Sequence, residues 1–316
     1  LGEAIELIAC ADAVLSNDSG LMHIAAALQK PLAVIYGSTS PEHTPPLSAS
    51  VSIIGRLQAS PREKMARYEL LNNVSHRDLR VATGFGPQFG DDVGMVPAFP
   101  SEFAELQREY PIFLRKDPAD GTWQSVALLG FEQRENLFLR DGHWNASYLP
   151  GAAAKGPFLI GFQEQRIDGE LRQEAVMHVD VEHPRVNLTV GEPVFLPQGG
   201  NTPYLDHIAG VLRGIHDGHA FGAEMFAALD AQGLIQPVTL DVRIDPEHRV
   251  GVNGLHAIDR DRLALLDGPA LAELNRAGYL EGAYLMLASL HNMRRLIAEK
   301  QRRLRAADTA VAAGRN

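Results

Sequence analysis

The sequence has little of what marks secreted, membrane-spanning or cysteine-ligated metal proteins. Cys10 is the only cysteine, so the chain can form neither an internal disulfide nor a cysteine-based metal cluster. No run approaches the roughly 20 consecutive apolar residues that a membrane-spanning helix requires. The first residues, LGEAIELIAC, lack the basic start and apolar centre of a signal peptide. These absences lead us to expect a cytoplasmic protein with no transmembrane segment.

Basic charge is also scarce, which argues against nucleic acid as a partner. The 316 residues carry a formal net charge of −10, whereas binding to a polyanion needs a positive surface. The basic residues that cluster near the C-terminus are Arg294, Arg295, Lys300, Arg302, Arg303 and Arg305. We interpret this cluster as the solvated end of a helix, where cations suit the helix dipole. A role in binding anions or a membrane surface is the alternative.

The first sixty residues have the pattern of one β–α–β unit. Residues 11–18 read as a strand, the segment from Gly20 as a helix, and the segment from Pro31 as a second, parallel strand. Asp18 and Ser19 lie where the first strand turns into the helix. Their side chains can cap its free amides, and a glycine there lets a diphosphate approach the backbone. Helix capping alone would explain the same residues.

Two strings in this segment, SNDSGLMHIAAAL and KPLAVIYGSTSPEHTPPL, carry a closer likeness. They resemble the C-terminal nucleotide-binding domain of ADP-heptose:lipopolysaccharide heptosyltransferases, glycosyltransferases of family nine that have the two-domain GT-B fold. The resemblance covers residues 1–54. It implies a vestigial site for the ADP part of an ADP-sugar, formed by Asp18, Ser19, Gly20, Leu21, Met22 and His23. The acceptor domain with its catalytic carboxylate has no counterpart here, so we expect no heptose transfer by this chain.

A second resemblance begins after a short polar segment. Residues 55–64, GRLQASPREK, are turn-prone and read as a linker. From Met65 onward the chain resembles SapC-family proteins in the strings MARYELLNNVSHRDLRV, FGDDVGMVPAFPSEFAELQREYPIFLRKD, GPFLIGFQE, HVDVEHPRVN, GEPVFLPQGGNTPYL and SLHNMRRLIAEKQRRLR. This resemblance spans residues 65–305, and we expect 306–316 to be a disordered tail. The two resemblances side by side indicate two unrelated pieces in one reading frame, which either a real gene fusion or a fault in gene calling would produce.

The pattern of the second piece predicts an α+β fold. Short apolar stretches (PIFL, QSVALLGF, NLFL, PFLIGF, AVMHVDV, PVFL) alternate with turn signals such as Asp141-Gly142 and Asp168-Gly169, which favours a mostly antiparallel sheet. Thr202 then begins an amphipathic helix as its N-cap, with Pro203 at the first helical position. The strings VTLDVRI and RVGVNGLHAI predict a hairpin. A helical region from Asp259 follows, with one apolar stripe made of Ala283, Met286, Leu287, Leu290, Met293 and Ile297.

The sharpest candidate for chemistry is His178-Val179-Asp180. Residues two apart in a strand share a face, so His178 and Asp180 would lie together, opposite Met177, Val179 and Val181. With a distant histidine they could hold iron as a facial triad. The candidates for that third ligand are His207, His216, His219, His256 and His291. The alternative, which we favour, is a solvated edge strand or a structural hydrogen bond, with no cofactor.

Other groupings carry weaker signals. Gly199-Gly200-Asn201-Thr202 could hold an anion but fits a tight turn before a helix. His216 and His219, with three glycines nearby, suggest the fraying end of a helix rather than a ligand pair. Trp123 and Trp144 could line a cleft, although packing at the core is the simpler role.

The leading interpretation is a SapC-like, cytoplasmic accessory or ligand-binding protein whose partner is a small molecule or another protein. The resemblance implies a link to nutrient uptake, because many SapC proteins are encoded near TonB-dependent receptors. An iron-dependent oxygenase that uses His178 and Asp180 is one alternative. A glycosyltransferase, suggested by the N-terminal motif, is the other.

Overall fold

The computed structural model describes residues 66–118, 120–167, 170–245 and 248–313, together with the backbone of three strands nearer the N-terminus. The chain divides into two compact units, Leu1–Arg67 and Tyr68–Asn316. The division lies three residues from the domain start expected at Met65. We refer to these as the N-terminal and C-terminal units.

The N-terminal unit contains a parallel sheet in its described part. Strands β1 (Val14–Asn17), β2 (Leu32–Tyr36) and β3 (Val51–Arg56) lie in the order β1-β2-β3. The parallel pairing of β1 with β2 confirms the two predicted strands. Strand β3 was not predicted, and it extends two residues into the expected linker, because the apolar run VSII continues the sheet. The predicted helix and the nucleotide-binding residues 18–23 lie outside the described residues.

The C-terminal unit is α+β, as predicted. Its strands are β4 Tyr68–Leu70, β5 Arg80–Val81, β6 Met95–Pro97, β7 Ile112–Lys116, β8 Trp123–Leu128, β9 Leu139–Arg140, β10 His143–Trp144, β11 Phe158–Ile167, β12 Glu170–Asp180, β13 Val186–Asn187, β14 Glu192–Pro193, β15 Ile235–Arg243 and β16 Arg249–Ile258. Its α-helices are α1 Phe103–Leu106, α2 Gly151–Ala154, α3 Pro203–Ala231, α4 Arg260–Ala264, α5 Gly268–Arg276, α6 Tyr279–Ser289 and α7 Met293–Ala313. Three short 3₁₀ turns cover Pro87–Phe89, Pro100–Glu102 and Leu290–Asn292.

The larger core forms against a five-stranded antiparallel sheet. Its strand order is β15-β16-β7-β8-β6, and β15 and β16 form the predicted hairpin. Phe103, Leu106 and Tyr110 are fully buried beside the strand residue Phe113. The NLFL stretch, predicted as a strand, is a turn that places Leu137 and Phe138 in this core before the short β9-β10 hairpin begins. Its apolar residues are buried, but the β9 ladder starts only at Leu139.

A smaller core lies on a second sheet with the order β11-β12-β4. It is formed by Phe158, Val179 and the α3 residues Leu205 and Ile208, all essentially inaccessible to solvent. Met177 and Val181 pack against the same cluster. This confirms that one face of β12 is apolar, as the alternation in its sequence predicts.

Helix α3 contributes to both cores. Thr202 caps it through a hydrogen bond from the Leu205 amide to Oγ1 of Thr202 at 3.3 Å, and Pro203 occupies the first turn, as predicted. At 29 residues the helix is about 44 Å long. Its first half buries residues in the smaller core, and its second half, including Met225 and Leu229, packs in the larger one.

The predicted fraying near His216 and His219 is wrong, since α3 continues without a break to Ala231. Its glycines instead allow residues 99–101 to approach the helix backbone closely. A Cβ placed on Gly218 would come within 2.5 Å of Ser101 Oγ and 2.8 Å of Phe99 Cβ, and one on Gly222 would lie 3.3 Å from Pro100 Cδ. The helix therefore keeps glycines, despite their low propensity, because the Pro100–Glu102 turn packs directly on its backbone.

The prediction that the basic C-terminal cluster is only the solvated end of a helix is wrong, because two of its residues, Lys300 and Arg303, bind other parts of the domain. Lys300, only 8% exposed, donates to Glu132 at 2.6 Å and Glu135 at 2.7 Å. Arg303 donates to the carbonyls of residues 136, 137 and 139, so α7 clamps the segment 132–139. Helix α7 also runs through residues 306–313, which corrects the prediction of a disordered tail there. The alanine-rich sequence of that stretch favours a helix.

The apolar stripe predicted for the last helices is confirmed. Ala283 and Met286 are buried, and Leu287, Leu290, Met293 and Ile297 pack on the larger core. Asp259 caps α4 by accepting hydrogen bonds from two amides of its first turn. Within the described part of the chain, no helix is both long enough and apolar enough to cross a membrane.

We expect a protein that begins at Met65 to fold without residues 1–64. The C-terminal unit has two apolar cores built from its own residues, so it meets the usual requirement for an independent domain. The deletion should leave the midpoint of thermal unfolding, followed by circular dichroism, nearly unchanged. A large drop in that midpoint would show that the N-terminal segment is part of the core.

Candidate functional site

The candidate site is a cleft of about 220 Å³, which we call the lysine cleft. One wall follows α2 into Lys155, where a left-handed Gly156 (φ 54°) turns the chain into β11. The opposite wall is the turn of residues 86–91, which closes when the Gly86 amide donates to Asp91 Oδ2 at 2.8 Å. The aromatic and ionisable side chains that line the cleft include Phe89, Asp91, Trp144, Lys155, His183 and Arg185.

Arg185 forms the floor of this cleft and is fully engaged. It is 5% exposed, and its Nη2 donates to both carboxylate oxygens of Asp91 at 2.8 and 2.7 Å. Its Nη1 donates to the backbone carbonyls of Ala82 and Gly84. The guanidinium also lies over the ring of Phe89, 4.5 Å from its centre. Arg185 and Asp91 thus neutralise each other and fix the wall, rather than offering a free charge.

His183 also lines the lysine cleft. Its Nδ1 accepts a hydrogen bond from the Arg185 amide at 3.1 Å, so in the neutral ring the proton is on Nε2. Burial, reinforced by the charge of Arg185, lowers the pKa of His183 and favours that neutral form. His183 can therefore act as a hydrogen-bond donor through Nε2.

Lys155 is the unusual group in the lysine cleft. Burial lowers the pKa of its ammonium group. Within the described chain its side chain has no hydrogen bond or ion pair, although an ammonium has three protons to donate. Holding a partly buried charge without a partner costs stability, which makes such a residue a marker of a binding or reactive site. Sequence reasoning missed it, because a single lysine after AAA carries no recognisable motif.

Trp144 lines the cleft and also belongs to the core, so both roles considered from the sequence apply to it. Its Nε1 donates to Tyr110 Oη at 2.7 Å, which fixes the indole beside the larger core. Trp123 instead lies edge-on to His256, with ring centres 4.7 Å apart.

The amide of Gly199 donates to the Leu196 carbonyl, so the two glycines before α3 form a tight turn with left-handed backbone.

His178 and Asp180, two residues apart on β12, each have local contacts. The Asp180 carboxylate is buried and accepts a hydrogen bond from the Glu182 amide at 3.1 Å, which supports the turn after β12. The His178 ring lies against Gly161 of β11, where an added Cβ would come within 2.8 Å of it. Among the described residues, no group of three or more His, Cys, Asp or Glu side chains is placed to hold a metal ion. None of the five distant histidines completes a triad there.

We expect the buried Arg185–Asp91 pair to contribute strongly to stability. Arg185→Met leaves a buried carboxylate without its partner, so it should lower the free energy of unfolding by about 3–5 kcal/mol in chemical denaturation. The matched control is Arg134→Met, which breaks the exposed pair with Asp92 and should cost at most about 1 kcal/mol. If both variants lose the same small amount, the buried pair is not the constraint inferred here.

For the metal hypothesis we expect a negative result. Protein purified without chelator should contain well under one iron per chain by elemental analysis, and His178→Ala should change stability modestly, since no triad forms around it in the described chain. Asp180→Asn serves as the second variant. Stoichiometric iron that either substitution removes would reverse this expectation.

Comparison with known proteins separates the two parts of the chain. The family model for glycosyltransferase family 9 (heptosyltransferase) matches residues 1–73. Lipooligosaccharide heptosyltransferase 2 of Haemophilus influenzae is 61% identical over 54 residues, and lipopolysaccharide heptosyltransferase 2 of Escherichia coli K12 is 54% identical over 54 residues. Each match covers 17% of this chain and 16% of the relative, so the chain spans about one sixth of the length of these relatives.

The rest of the chain matches a different family. No solved structure matches the protein. The SapC family model matches residues 71–296, which is more than two thirds of the sequence and includes both walls of the lysine cleft. This confirms the resemblance found in the strings after Met65. The chain therefore belongs to the SapC family, with a fragment of a family 9 glycosyltransferase at its N-terminus.

Proposed function

We propose that the SapC domain binds a small anionic molecule in the lysine cleft. The observation that carries this proposal is the partly buried ammonium of Lys155, which has no partner among the described residues and lines a cleft. An anionic ligand would supply that partner. Hydrogen bonds to charged groups are the stronger kind in proteins, so one such contact can anchor a small ligand.

The walls of the cleft narrow the class of ligand. A volume of about 220 Å³ is below that of the pockets that bind drug-sized ligands, roughly 300–1,000 Å³, which suits a compact metabolite. Phe89 and Trp144 offer aromatic surface, and His183 offers a second donor. Because Asp91 is paired with Arg185, the net charge facing the ligand is positive. A flat carboxylate with an apolar body fits these features.

The biological setting belongs to the same proposal. A cytoplasmic accessory protein that binds a small nutrient-derived anion would suit the link to TonB-dependent uptake that the SapC resemblance implies. We propose binding rather than turnover, because Arg185 and Asp91 are occupied by each other. The iron-dependent oxygenase and the glycosyltransferase gain no support from the contacts of the described residues.

The test uses benzoate as probe and benzamide, its uncharged analogue, as comparison. Benzoate should bind the intact protein in isothermal titration calorimetry, and Lys155→Met should weaken it about tenfold to a hundredfold, the effect of losing a hydrogen bond to a charged group. Lys116→Met is the matched control, because Lys116 lies over Trp123 and not in the lysine cleft. Equal binding of benzamide, or binding that survives Lys155→Met, would refute the proposal.

Stability gives an independent check on the same variant. With its pKa lowered in the fold, Lys155 binds protons more readily in the unfolded chain, so its burial costs stability at low pH. That cost falls as the pH rises from the folded towards the unfolded pKa. Without ligand, Lys155→Met should therefore be at least as stable as the parent near neutral pH, and the difference should shrink at alkaline pH. A clear loss of stability would mean that Lys155 has a structural partner.

A further inference from the structure

A second and larger cleft lies on the other side of α2. This glutamate groove has a volume of about 520 Å³ and runs between α3 and the Pro100–Glu102 turn. Gly151 and Ala154 of α2 line it, whereas Ala152 and Ala153 line the lysine cleft. The two clefts therefore share one short helix as a wall.

Glu102 is the polar group at the base of this groove. It is 7% exposed, and its Oε1 accepts from the Phe99 amide at 3.1 Å. Its Oε2 accepts from the Gly151 amide at 2.8 Å and from Tyr148 Oη at 2.9 Å. A carboxylate has about four acceptor positions, so three donors leave room for one more. Burial raises the pKa of Glu102, and a further donor would offset that desolvation.

The rest of the groove is apolar and open. Val211 and Ile215 of α3 supply aliphatic surface along its length. A Cβ on Gly210 or on Gly214 would meet no neighbouring atom within 4 Å, so these positions leave space free beside the helix. Among the residues that the structure describes, the ionisable side chains that line the groove besides Glu102 are Tyr148, Asp206 and His207, and none is a lysine or arginine. Its charge is thus opposite to that of the lysine cleft.

We propose that the glutamate groove binds a small amphiphilic cation, with a primary ammonium group that donates to Glu102 and an aliphatic body along Val211 and Ile215. The buried carboxylate supplies the charge and the open acceptor position, and Val211 and Ile215 supply the apolar surface. This site goes beyond the proposed function, because its ligand has the opposite charge and uses none of the residues that define the lysine cleft.

The experiment compares three probes of one length: hexylammonium, hexanol and hexanoate. On the full chain carrying Lys155→Met, which removes the proposed anion site, saturation-transfer NMR and calorimetry should show binding of hexylammonium, at least tenfold weaker binding of hexanol, and none of hexanoate. The order follows from the acceptor-only chemistry of the carboxylate. Binding of hexanoate as tight as that of hexylammonium, or no binding of hexylammonium at millimolar concentration, would overturn the proposal.

The variant Gly214→Leu tests whether the ligand lies in the groove, and it leaves Glu102 unchanged. The new side chain fills free space beside α3, so it should abolish hexylammonium binding. The midpoint of thermal unfolding should stay equal or rise, because leucine favours a helix more than glycine does. Ala220→Leu, on the exposed face of the same helix, is the matched control and should retain binding. Hexylammonium binding that survives Gly214→Leu would overturn the assignment.

Two further variants separate this proposal from the anion site. Glu102→Gln keeps an oxygen acceptor but removes the charge, and it should weaken hexylammonium at least tenfold while hexanol binding changes little. Lys155→Met should leave hexylammonium binding unchanged. If Lys155→Met abolishes binding of both benzoate and hexylammonium, the two probes share one site and the glutamate groove is not the second one.

Discussion

The fold of the C-terminal unit depends on α3, because this one helix belongs to both apolar cores. Its first turns pack with Phe158 and Val179, and its last turns pack with Phe103 and Phe113. A helix of 29 residues is stiff over its whole length, so the two cores cannot shift independently while both halves stay buried. The glycines in the middle let the Pro100–Glu102 turn reach the helix backbone, and that contact sets the distance between the helix and the main sheet.

Both clefts follow from this arrangement. Because α3 is held close to residues 99–102 but has only glycine at Gly210 and Gly214, space stays open beside these two positions and the surface beside α2 is concave. Glu102 ties α2 to this surface through the Gly151 amide. On the other side of α2, the Arg185–Asp91 pair holds the opposite wall. Arg185 and Asp91 thus neutralise each other within the wall, whereas Lys155 has no such partner among the described residues and is the group that we propose for an anionic ligand.

Local sequence rules predicted the elements well where one residue type has one dominant use. Thr202 and Pro203 marked the start of α3, and the alternation around Val179 identified the buried face of β12. The predictions were wrong where one residue type can have two different structural roles. Glycine breaks helices in solution, but at Gly218 it permits contact with a neighbouring segment, and only the tertiary structure tells the two apart.

The same limit explains what was missed at the sites. Lys300 and Lys155 look alike in the sequence, yet one is paired with two glutamates about 165 residues earlier in the chain and the other has no such partner in the described part. The partner of a charge depends on contacts between distant residues, and periodicity carries no information about them. For the same reason the His178-Asp180 motif could be found as a string but not judged as a metal site.

The clamp formed by α7 has a consequence for how the protein is made. Leu296 of α7 is buried in the larger core, and Lys300 and Arg303 hold a segment that was synthesised more than 160 residues earlier. The segment 132–139 therefore leaves the ribosome well before the helix that clamps it. Until α7 emerges, Glu132, Glu135 and the carbonyls of this segment lack the cations that hold them in the folded domain. Nascent chains with incomplete tertiary packing are prone to aggregate, so we expect this domain to complete its packing only after α7 has been synthesised.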